Sequence, residues 1–243
     1  MACQHEPTSV VYHSLGAMRR WFFPQSCLVC GAAVADRADL CGPCEAGLPR
    51  AGPGCARCAA PLPGAGLDRI CGRCLTRPPY LDRTHALYRY DAPIDRLIQG
   101  FKYGRRLDWG RALANALAQG LRAAGAHADA IVPVPLHRRR LRERGYNQSL
   151  ELARPIGRLL DIPVLAHAAR RVRPTPAQAG LSRDDRQRNV RNAFKIAQPS
   201  AVSEKCVAVV DDVMTSGHTV NALARALKHA GAGDVVVWVL ARA

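Results

Sequence analysis

Residues Val207 to Thr219 read VAVVDDVMTSGHT. The four apolar residues that begin this stretch predict a buried strand, and the apolar spacing after Thr219 predicts an amphipathic helix. Between them lie two adjacent acids, Asp211 and Asp212, and a turn with hydroxyl side chains around Gly217. Such a turn at a helix N-terminus can aim N–H groups at a phosphate, and paired carboxylates can accept hydrogen bonds from a ribose diol. The stretch therefore predicts a site for a phosphorylated sugar.

The chain is strongly basic. Its 243 residues include 35 Lys and Arg against 19 Asp and Glu, a formal charge of +16, which favours polyanionic partners. Its length suits one large domain or two small ones. No signal peptide is expected, and no apolar run approaches the roughly 20 residues of a membrane span. We therefore expect a cytoplasmic protein without membrane insertion, in which paired cysteines bind metal.

Eight of the ten cysteines form four CxxC pairs. A CxxC turn presents two thiolates to one metal ion, and two such turns complete a tetrahedral, closed, structural zinc site. Sequential pairing would give two zinc ribbons, whereas alternating pairing would give a cross-brace, and the spacing allows either, with one or two zinc ions. The predicted metal ligands are Cys27, Cys30, Cys41, Cys44, Cys55, Cys58, Cys71 and Cys74.

Three parts are predicted along the chain: an N-terminal segment (1–26), a double zinc ribbon (27–75) and an α/β domain (84–243). Strands alternate with helices from about residue 84, as in a parallel sheet flanked by helices. A buried strand at 130–135 leads into an arginine-rich stretch expected to be a basic loop, and Pro155 is expected to kink or split the helix that follows. A second arginine-rich stretch, 170–192, is expected to be a long loop that is either functional or disordered.

The stretch from Val207 to Thr219 resembles the PRPP-binding motif of the type I phosphoribosyltransferases at every one of its thirteen positions. The order of the parts resembles the ComF family of competence-associated, phosphoribosyltransferase-like proteins, over essentially the whole chain beyond the first two dozen residues. Besides the zinc module and the PRPP motif, the segments that carry this resemblance are Phe101-Lys102-Tyr103, the VPVP strand, Arg144-Gly145-Tyr146-Asn147-Gln148 and the stretch from Arg173 to Leu181.

The resemblance implies a type I phosphoribosyltransferase-like fold that binds PRPP with Mg²⁺. It implies a glycosyltransferase that transfers a pentosyl group to an unknown acceptor and acts in DNA uptake, natural transformation or nucleotide salvage linked to DNA use. Single-stranded DNA, a nucleobase or nucleotide, and proteins of the competence machinery are the implied partners. The alternative is a non-catalytic cytoplasmic adaptor that handles single-stranded DNA and retains the PRPP fold.

The resemblance also assigns roles to residues. Asp211 and Asp212 would bind the ribose hydroxyls near Mg²⁺, and the arginines from Arg138 to Arg144 would stabilise the leaving pyrophosphate. The predicted catalytic residues are Asp211, Asp212 and Arg144. The predicted PRPP-binding residues are Asp211, Asp212, Thr215, Ser216, Gly217, His218, Thr219, Lys102, Arg138 and Arg173.

Overall fold

The structure, a computed structural model, describes residues 25–34, 38–62, 64, 69–172 and 193–243. The chain divides into two compact units, Met1–Leu48 and Pro49–Ala243. Among the described residues, none of the helices has both the length and the apolar character needed to cross a membrane. The predicted loop that contains Arg173 lies outside the described residues.

The described part of the first unit contains one four-cysteine cluster. Strand β1 (Gln25–Ser26) pairs antiparallel with β2 (Ala33–Val34), and helix α1 (Gly42–Ala46) follows. The chain turns between the two strands at Gly31, which has a φ of +76° and donates its N–H to the carbonyl of Cys27. Glycine suits this left-handed conformation because it has no Cβ.

The second unit is built on a four-stranded parallel sheet. Its strand order is β3-β8-β7-β4, and every neighbouring pair is parallel. The carboxyl ends of all four strands therefore lie along one edge of the sheet. These strands are β3 (Arg83–Arg89), β4 (Ala130–Pro133), β7 (Val207–Met214) and β8 (Val235–Arg242).

Amphipathic helices connect the strands and bury their apolar faces. Helices α3 and α4 follow β3, and helix α7 follows β7 directly. The buried residues include Phe101 in α3, Leu117 in α4 and Leu223 in α7. The helices of this unit are α2 (Gly72–Thr76), α3 (Ile94–Tyr103), α4 (Leu107–Ala123), α5 (Arg138–Arg144), α6 (Gln148–Leu160) and α7 (His218–His229).

The predicted fold class, a parallel α/β sheet flanked by helices and preceded by a cysteine-rich module, is confirmed. One local expectation was wrong. The arginine-rich stretch after β4 forms helix α5 instead of a loop, with His137 as its N-cap and Gly145, at φ +86°, ending it. Of the two expectations for Pro155, the split does not occur, since α6 continues to Leu160, and the kink stays a prediction.

Two further features emerge beside the main sheet. Strands β5 (Ala169–Arg171) and β6 (Phe194–Ile196) pair antiparallel. The segment that begins the second ribbon runs along the free edge of β3, where the N–H of Ala51 donates to the carbonyl of Leu87 and the N–H of Thr84 donates to the carbonyl of Ala56. The ribbon thereby covers an edge strand whose backbone groups would otherwise be exposed.

Candidate functional site at the carboxyl edge of the sheet

The acidic pair lies where one neighbouring strand has ended. Strands β4 and β7 stay in register up to the pair Pro133–Val210. Beyond that point β7 continues through Asp211 and Asp212, still paired with β8. The two acids therefore border a gap at the carboxyl edge of the sheet, which is where parallel α/β proteins bind ligands.

The N-terminus of helix α6 closes one side of this gap. Asn147 caps the helix, because its Oδ1 accepts from the N–H of Ser149 at 3.1 Å. The same side chain donates through Nδ2 to the carbonyl of Val134, 3.1 Å away, just past β4. Ser149, which is fully buried, then donates its hydroxyl to Oδ1 of Asp211 at 2.9 Å. Asn147 thus fixes the helix end that supplies a hydrogen-bond partner for the first acid.

Lys102 from helix α3 reaches the second acid. Its Nζ lies 2.9 Å from Oδ1 of Asp212, and the two side chains are only 18% and 5% exposed. Burial lowers the pKa of Lys102, but the charge of Asp212 outweighs burial and leaves that pKa above its usual value. The other oxygen of Asp212, Oδ2, is buried and has no hydrogen-bond partner among the described residues. A carboxylate oxygen of this kind is an unused acceptor or metal ligand.

Asp211 is held in a form that resists ionisation. Burial is the largest cause, and the neighbouring charge of Asp212 adds to it, so that the pKa of Asp211 rises to about 7. Lys102 and the hydroxyl of Ser149 oppose the increase. Two adjacent carboxylates sharing one lysine cannot both be charged at low cost. Below about pH 7 the pair therefore holds a proton, which a bound cation would displace.

The position of Lys102 depends on aromatic packing behind it. Phe101 is fully buried, and its ring centroid lies 5.9 Å from that of Tyr146. The hydroxyl of Tyr146 donates to the backbone carbonyl of Phe101. This hydrogen bond joins the end of α3, which carries Lys102, to the segment before α6, which carries Ser149. The two helices that supply contacts to the acids are therefore held together by Phe101 and Tyr146.

The turn after β7 has the predicted form. Gly217 adopts φ +76°, and a Cβ at this position would lie 2.6 Å from Cε of Met214. A side chain there would be strained in conformation and crowded by its neighbour. Thr215 is exposed, and Oγ of Ser216 lies 3.1 Å from Nδ1 of His218, the first residue of α7. Thr219 follows in the first turn of the same helix.

A basic cavity of about 380 Å³ adjoins Lys102. The guanidinium of Arg144 lies 5.1 Å from the ring centre of Tyr103, whose side chain is 73% exposed. The Nη1 atom of Arg144 is buried without a hydrogen-bond partner among the described residues. The cavity is lined by Lys102, Tyr103, Arg105, Arg140, Glu143 and Arg144. Four cations against one acid make it a receptive site for an anion.

The structure brings Lys102, Asp211 and Asp212 into one cluster, with the turn from Thr215 to Thr219 directly after it. Of the other predicted residues, Arg144 lies beside Lys102 in the basic cavity, and Arg138 is exposed at the start of α5. Arg173 lies outside the described residues.

The sequence did not single out Ser149 or Arg171. Arg171 stacks on Phe194, and its pKa is lowered mainly by burial and also by Arg140, while Asp211 raises it. In the sequence, Ser149 resembles an ordinary residue in the first turn of a helix. Its role becomes visible only in the structure, where its hydroxyl contacts Asp211, 62 residues further along the chain. The signal that could have indicated it is the N-cap Asn147 directly after the arginine-rich stretch.

The eight CxxC cysteines form two separate clusters. Cys27, Cys30, Cys41 and Cys44 form one, and the remaining four form the other, so the sequential pairing is the one observed. Within each cluster the four sulfur atoms lie within 4.8 Å of one another. The Cys30–Cys41 and Cys58–Cys71 sulfur pairs are 3.7 Å apart. A tetrahedral zinc ion with Zn–S bonds of about 2.3 Å requires sulfur–sulfur distances of about 3.8 Å, so both clusters fit structural zinc.

The two clusters repeat one local design. The N–H of Cys27 donates to the carbonyl of Ala32, and the N–H of Cys55 donates to that of Ala60. Burial raises the pKa of Cys55, but the N–H groups around it, led by that of Cys71, outweigh burial and lower it to about 6. The pKa of Cys27 is about 6 for the same reasons, with Cys30 the leading hydrogen-bond donor. Each cluster thus contains one thiol that ionises readily, as a zinc ligand must.

Comparison with known proteins agrees with this architecture. The family model described as a double zinc ribbon domain matches residues 18–75. The chain is 40% identical to competence protein F of Haemophilus influenzae over 179 residues, covering 71% of this chain and 78% of that protein. It is 38% identical to the DNA utilization protein YhgH of Salmonella typhimurium over 221 residues, covering 89% of each.

Among solved structures, the glutamine PRPP amidotransferase from B. subtilis is similar with a TM-score of 0.41 and 21% identity, covering 58% of this chain and 30% of that one.

The chain is thus a double-zinc-ribbon protein with an α/β domain that holds a buried acidic pair at its sheet edge. At this identity and coverage, it belongs to the family of competence protein F and the DNA utilization protein YhgH. The predicted membership of the ComF family is confirmed.

Proposed function

We propose that this chain binds PRPP together with Mg²⁺ at the carboxyl edge of its sheet and transfers the phosphoribosyl group to an acceptor. The observation that carries the proposal is the pair Asp211–Asp212, held by Ser149 and Lys102 directly before a hydroxyl-rich turn. The relatives are named for competence and for DNA utilization. We therefore propose a role in DNA uptake or in the use of DNA as a source of nucleotides.

In the proposed binding mode, each group of PRPP contacts protein groups of complementary chemistry. The turn from Thr215 to Thr219 takes the 5-phosphate at the N-terminus of α7. Asp211 and Asp212 accept hydrogen bonds from the two ribose hydroxyls. The buried, unpartnered Oδ2 of Asp212 suits an oxygen-liganded divalent cation, and Asp211, whose pKa is about 7, would lose its proton when the cation binds. When bound, Mg²⁺ supplies positive charge to the ribose and pyrophosphate oxygens.

The reaction would break the bond between C1 of the ribose and pyrophosphate, and the acceptor would form a new bond to C1. The departing pyrophosphate keeps the electron pair of the broken bond and carries developing negative charge. Arg144 and the other cations of the basic cavity lie next to Lys102 and would stabilise that charge. Arg138 would act at the exposed start of α5, and Arg173, which lies outside the described residues, would act with it.

The test is calorimetric titration of the zinc-loaded protein with PRPP, with and without Mg²⁺. The wild-type chain should bind in the presence of Mg²⁺, and Asp212→Asn should lose at least tenfold in affinity, since it removes one of the two charged carboxylates at the ribose. Asp161→Asn is the matched control, because Asp161 is an exposed helix C-cap in the left-handed conformation that Asn also adopts. Equal affinities in all three proteins would refute the ribose assignment.

A second function, a non-catalytic adaptor for single-stranded DNA, is favoured by one specific observation. Tyr103 is exposed, and Arg144 is stacked against its ring beside a cavity rich in arginine. An exposed aromatic ring among cations is suited to base stacking along a phosphate backbone. DNA binding should then weaken with salt: a plot of the logarithm of the association constant against the logarithm of the salt concentration should have a slope of about −0.7 per phosphate contact. Tyr103→Ala should lower DNA affinity about fivefold or more.

Turnover distinguishes the two functions. Release of pyrophosphate from PRPP that depends on an added nucleobase, nucleotide or single-stranded DNA would support the transferase. Salt-dependent DNA binding by a protein that binds PRPP but releases no pyrophosphate with any of these acceptors would support the adaptor.

A further inference from the structure

Two arginines bind the backbone of the phosphate-binding turn from one side. Arg242, near the end of β8, donates through Nη1 to the carbonyl oxygens of Met214, at 2.8 Å, and of Thr215. Arg73 donates through Nη2 to the carbonyl oxygen of Ser216 at 3.3 Å. Three consecutive carbonyl groups of the turn are therefore held by guanidinium groups.

This arrangement fixes the direction of the N–H groups. In a trans peptide the carbonyl and the following N–H point in opposite directions across the same plane, and the cis peptide of the described residues lies elsewhere, at Ala92–Pro93. The carbonyls of Met214, Thr215 and Ser216 share their planes with the N–H groups of the next three residues. Those N–H groups consequently point away from the two arginines, and successive N–H groups on one side of a turn make an anion-binding concavity.

Arg73 belongs to the second zinc ribbon, and Arg242, in β8, is hydrogen-bonded to it. Arg73 lies between two ligands of the second cysteine cluster, Cys71 and Cys74. Arg242 also donates through Nε to the carbonyl oxygen of Cys58, a third ligand, at 3.0 Å. One guanidinium thus connects the ribbon backbone with the backbone of the turn.

The ribbon and the start of α7 are joined elsewhere as well. The N–H of Tyr80, just after the ribbon, donates to Oδ1 of Asn221 in the first turn of α7 at 2.6 Å. Cys58 and Cys74 belong to the same hydrophobic core as Met214 and Val220, which flank the turn. The ribbon, the turn and the helix N-terminus therefore form one packed assembly.

We propose that the second zinc ribbon positions the phosphate-binding turn through Arg73 and Arg242, so that this ribbon is part of the machinery for recognising a 5-phosphate. Arg73 and Arg242 are positioning residues: they orient the peptide planes that present N–H groups to the phosphate. The inference rests on the proposed function, because it concerns the same turn.

The experiment compares two small anions that should occupy different parts of the site. Ribose 5-phosphate reports on the turn, and methylene diphosphonate, a stable analogue of pyrophosphate, reports on the basic cavity. Each is titrated calorimetrically into the wild-type protein, Arg73→Ala, Arg73→Lys and Arg242→Lys, with PRPP and Mg²⁺ as the reference ligand. Arg69→Ala is the control, because Arg69 is an exposed arginine of the same ribbon whose side chain donates to the carbonyl of Gly64.

Arg73→Ala should weaken ribose 5-phosphate about two- to tenfold, the value of one hydrogen bond, and leave methylene diphosphonate unchanged. Arg242→Lys should weaken it more, since a lysine cannot make the forked contacts of a guanidinium. Arg73→Lys should recover part of the loss, and Arg69→Ala should match the wild type. Zinc content should stay at the wild-type level in Arg73→Ala, which shows that the ribbon is intact.

Four results would overturn the inference. Unchanged ribose 5-phosphate affinity in Arg73→Ala and Arg242→Lys would show that the arginines do not set the turn. Equal losses for both anions, or complete recovery in Arg73→Lys, would show that the arginine acts through its charge alone. If the wild-type protein does not bind PRPP, the proposed function fails and this inference fails with it, whereas PRPP binding without an effect of the arginines removes only the inference.

Discussion

Replacing Lys102 by methionine should destabilise the second unit in a way that depends strongly on pH. Methionine keeps most of the volume of the lysine stem and removes its charge. The Nζ of Lys102 is 2.9 Å from Asp212, and the side chains are 18% and 5% exposed, so little water can replace the lost partner. Removing one partner from a buried ion pair costs about 3–5 kcal/mol while the other partner stays charged. That full cost applies at pH 8.

At pH 5 the cost of removing the lysine has an upper limit, because the abandoned carboxylate can take up a proton. Protonating an acid whose pKa in the unfolded chain is about 3.9 costs about 1.5 kcal/mol at pH 5 and about 5.6 kcal/mol at pH 8. Lys102→Met should therefore reduce the free energy of unfolding by about 1.5 kcal/mol or less at pH 5 and by about 3–5 kcal/mol at pH 8.

The assay is urea unfolding at the two pH values, followed by tryptophan fluorescence, to which Trp238, fully buried in β8, contributes. Lys195→Met is the control, because Lys195 is exposed on β6, and it should change the free energy of unfolding by less than about 0.5 kcal/mol at both pH values. Equal destabilisation by Lys102→Met at pH 5 and pH 8 would refute the electrostatic account and leave packing as the cause.

Three further predictions concern the same sites. Because the pKa of Asp211 is about 7 and Mg²⁺ requires the ionised carboxylate, the affinity for Mg²⁺ with PRPP should rise about tenfold from pH 6 to pH 8, as calorimetry at a series of pH values would show. Ser149→Ala removes a hydrogen bond that lowers this pKa, so the midpoint of that pH dependence should move to higher pH; an unmoved midpoint would contradict the contact. Ala59, at φ +53°, occupies the ribbon position that Gly31 fills in the first cluster. Ala59→Gly should therefore stabilise the second unit by about 1 kcal/mol in urea unfolding. A loss of stability would show that the alanine is unstrained.

The parts of the fold that depend on local pattern could be predicted from the sequence. The apolar run before Asp211 predicted β7, and the helical spacing after the turn predicted α7. Helix α5 could also have been recognised, because arginine is a good helix former and the stretch begins after a His N-cap and ends at Gly145. The concentration of charge favoured a loop, and that expectation was wrong.

The contacts that complete the site could not be predicted, because they join distant residues. Ser149 and Asp211 are 62 residues apart, and Arg73 and Ser216 are 143 residues apart. Neither Ser149 nor Arg73 belongs to a pattern that a single sequence distinguishes from a surface residue. Their roles follow from the order of the strands, which places β4 beside β7 and β8 on its other side. The contacts between the second ribbon and the turn after β7, made by Arg73 and Arg242, likewise depend on how these parts pack together.

The charge balance of the acidic pair connects stability with binding. If both carboxylates were ionised, Lys102 would leave one negative charge uncompensated in a buried site. The protein avoids this cost by raising the pKa of Asp211 to about 7. A divalent cation would compensate the same charge and remove the need for the proton, so binding should release protons near pH 7. The burial that raises the pKa of Asp211 in the free site should therefore also favour a ligand that brings its own positive charge.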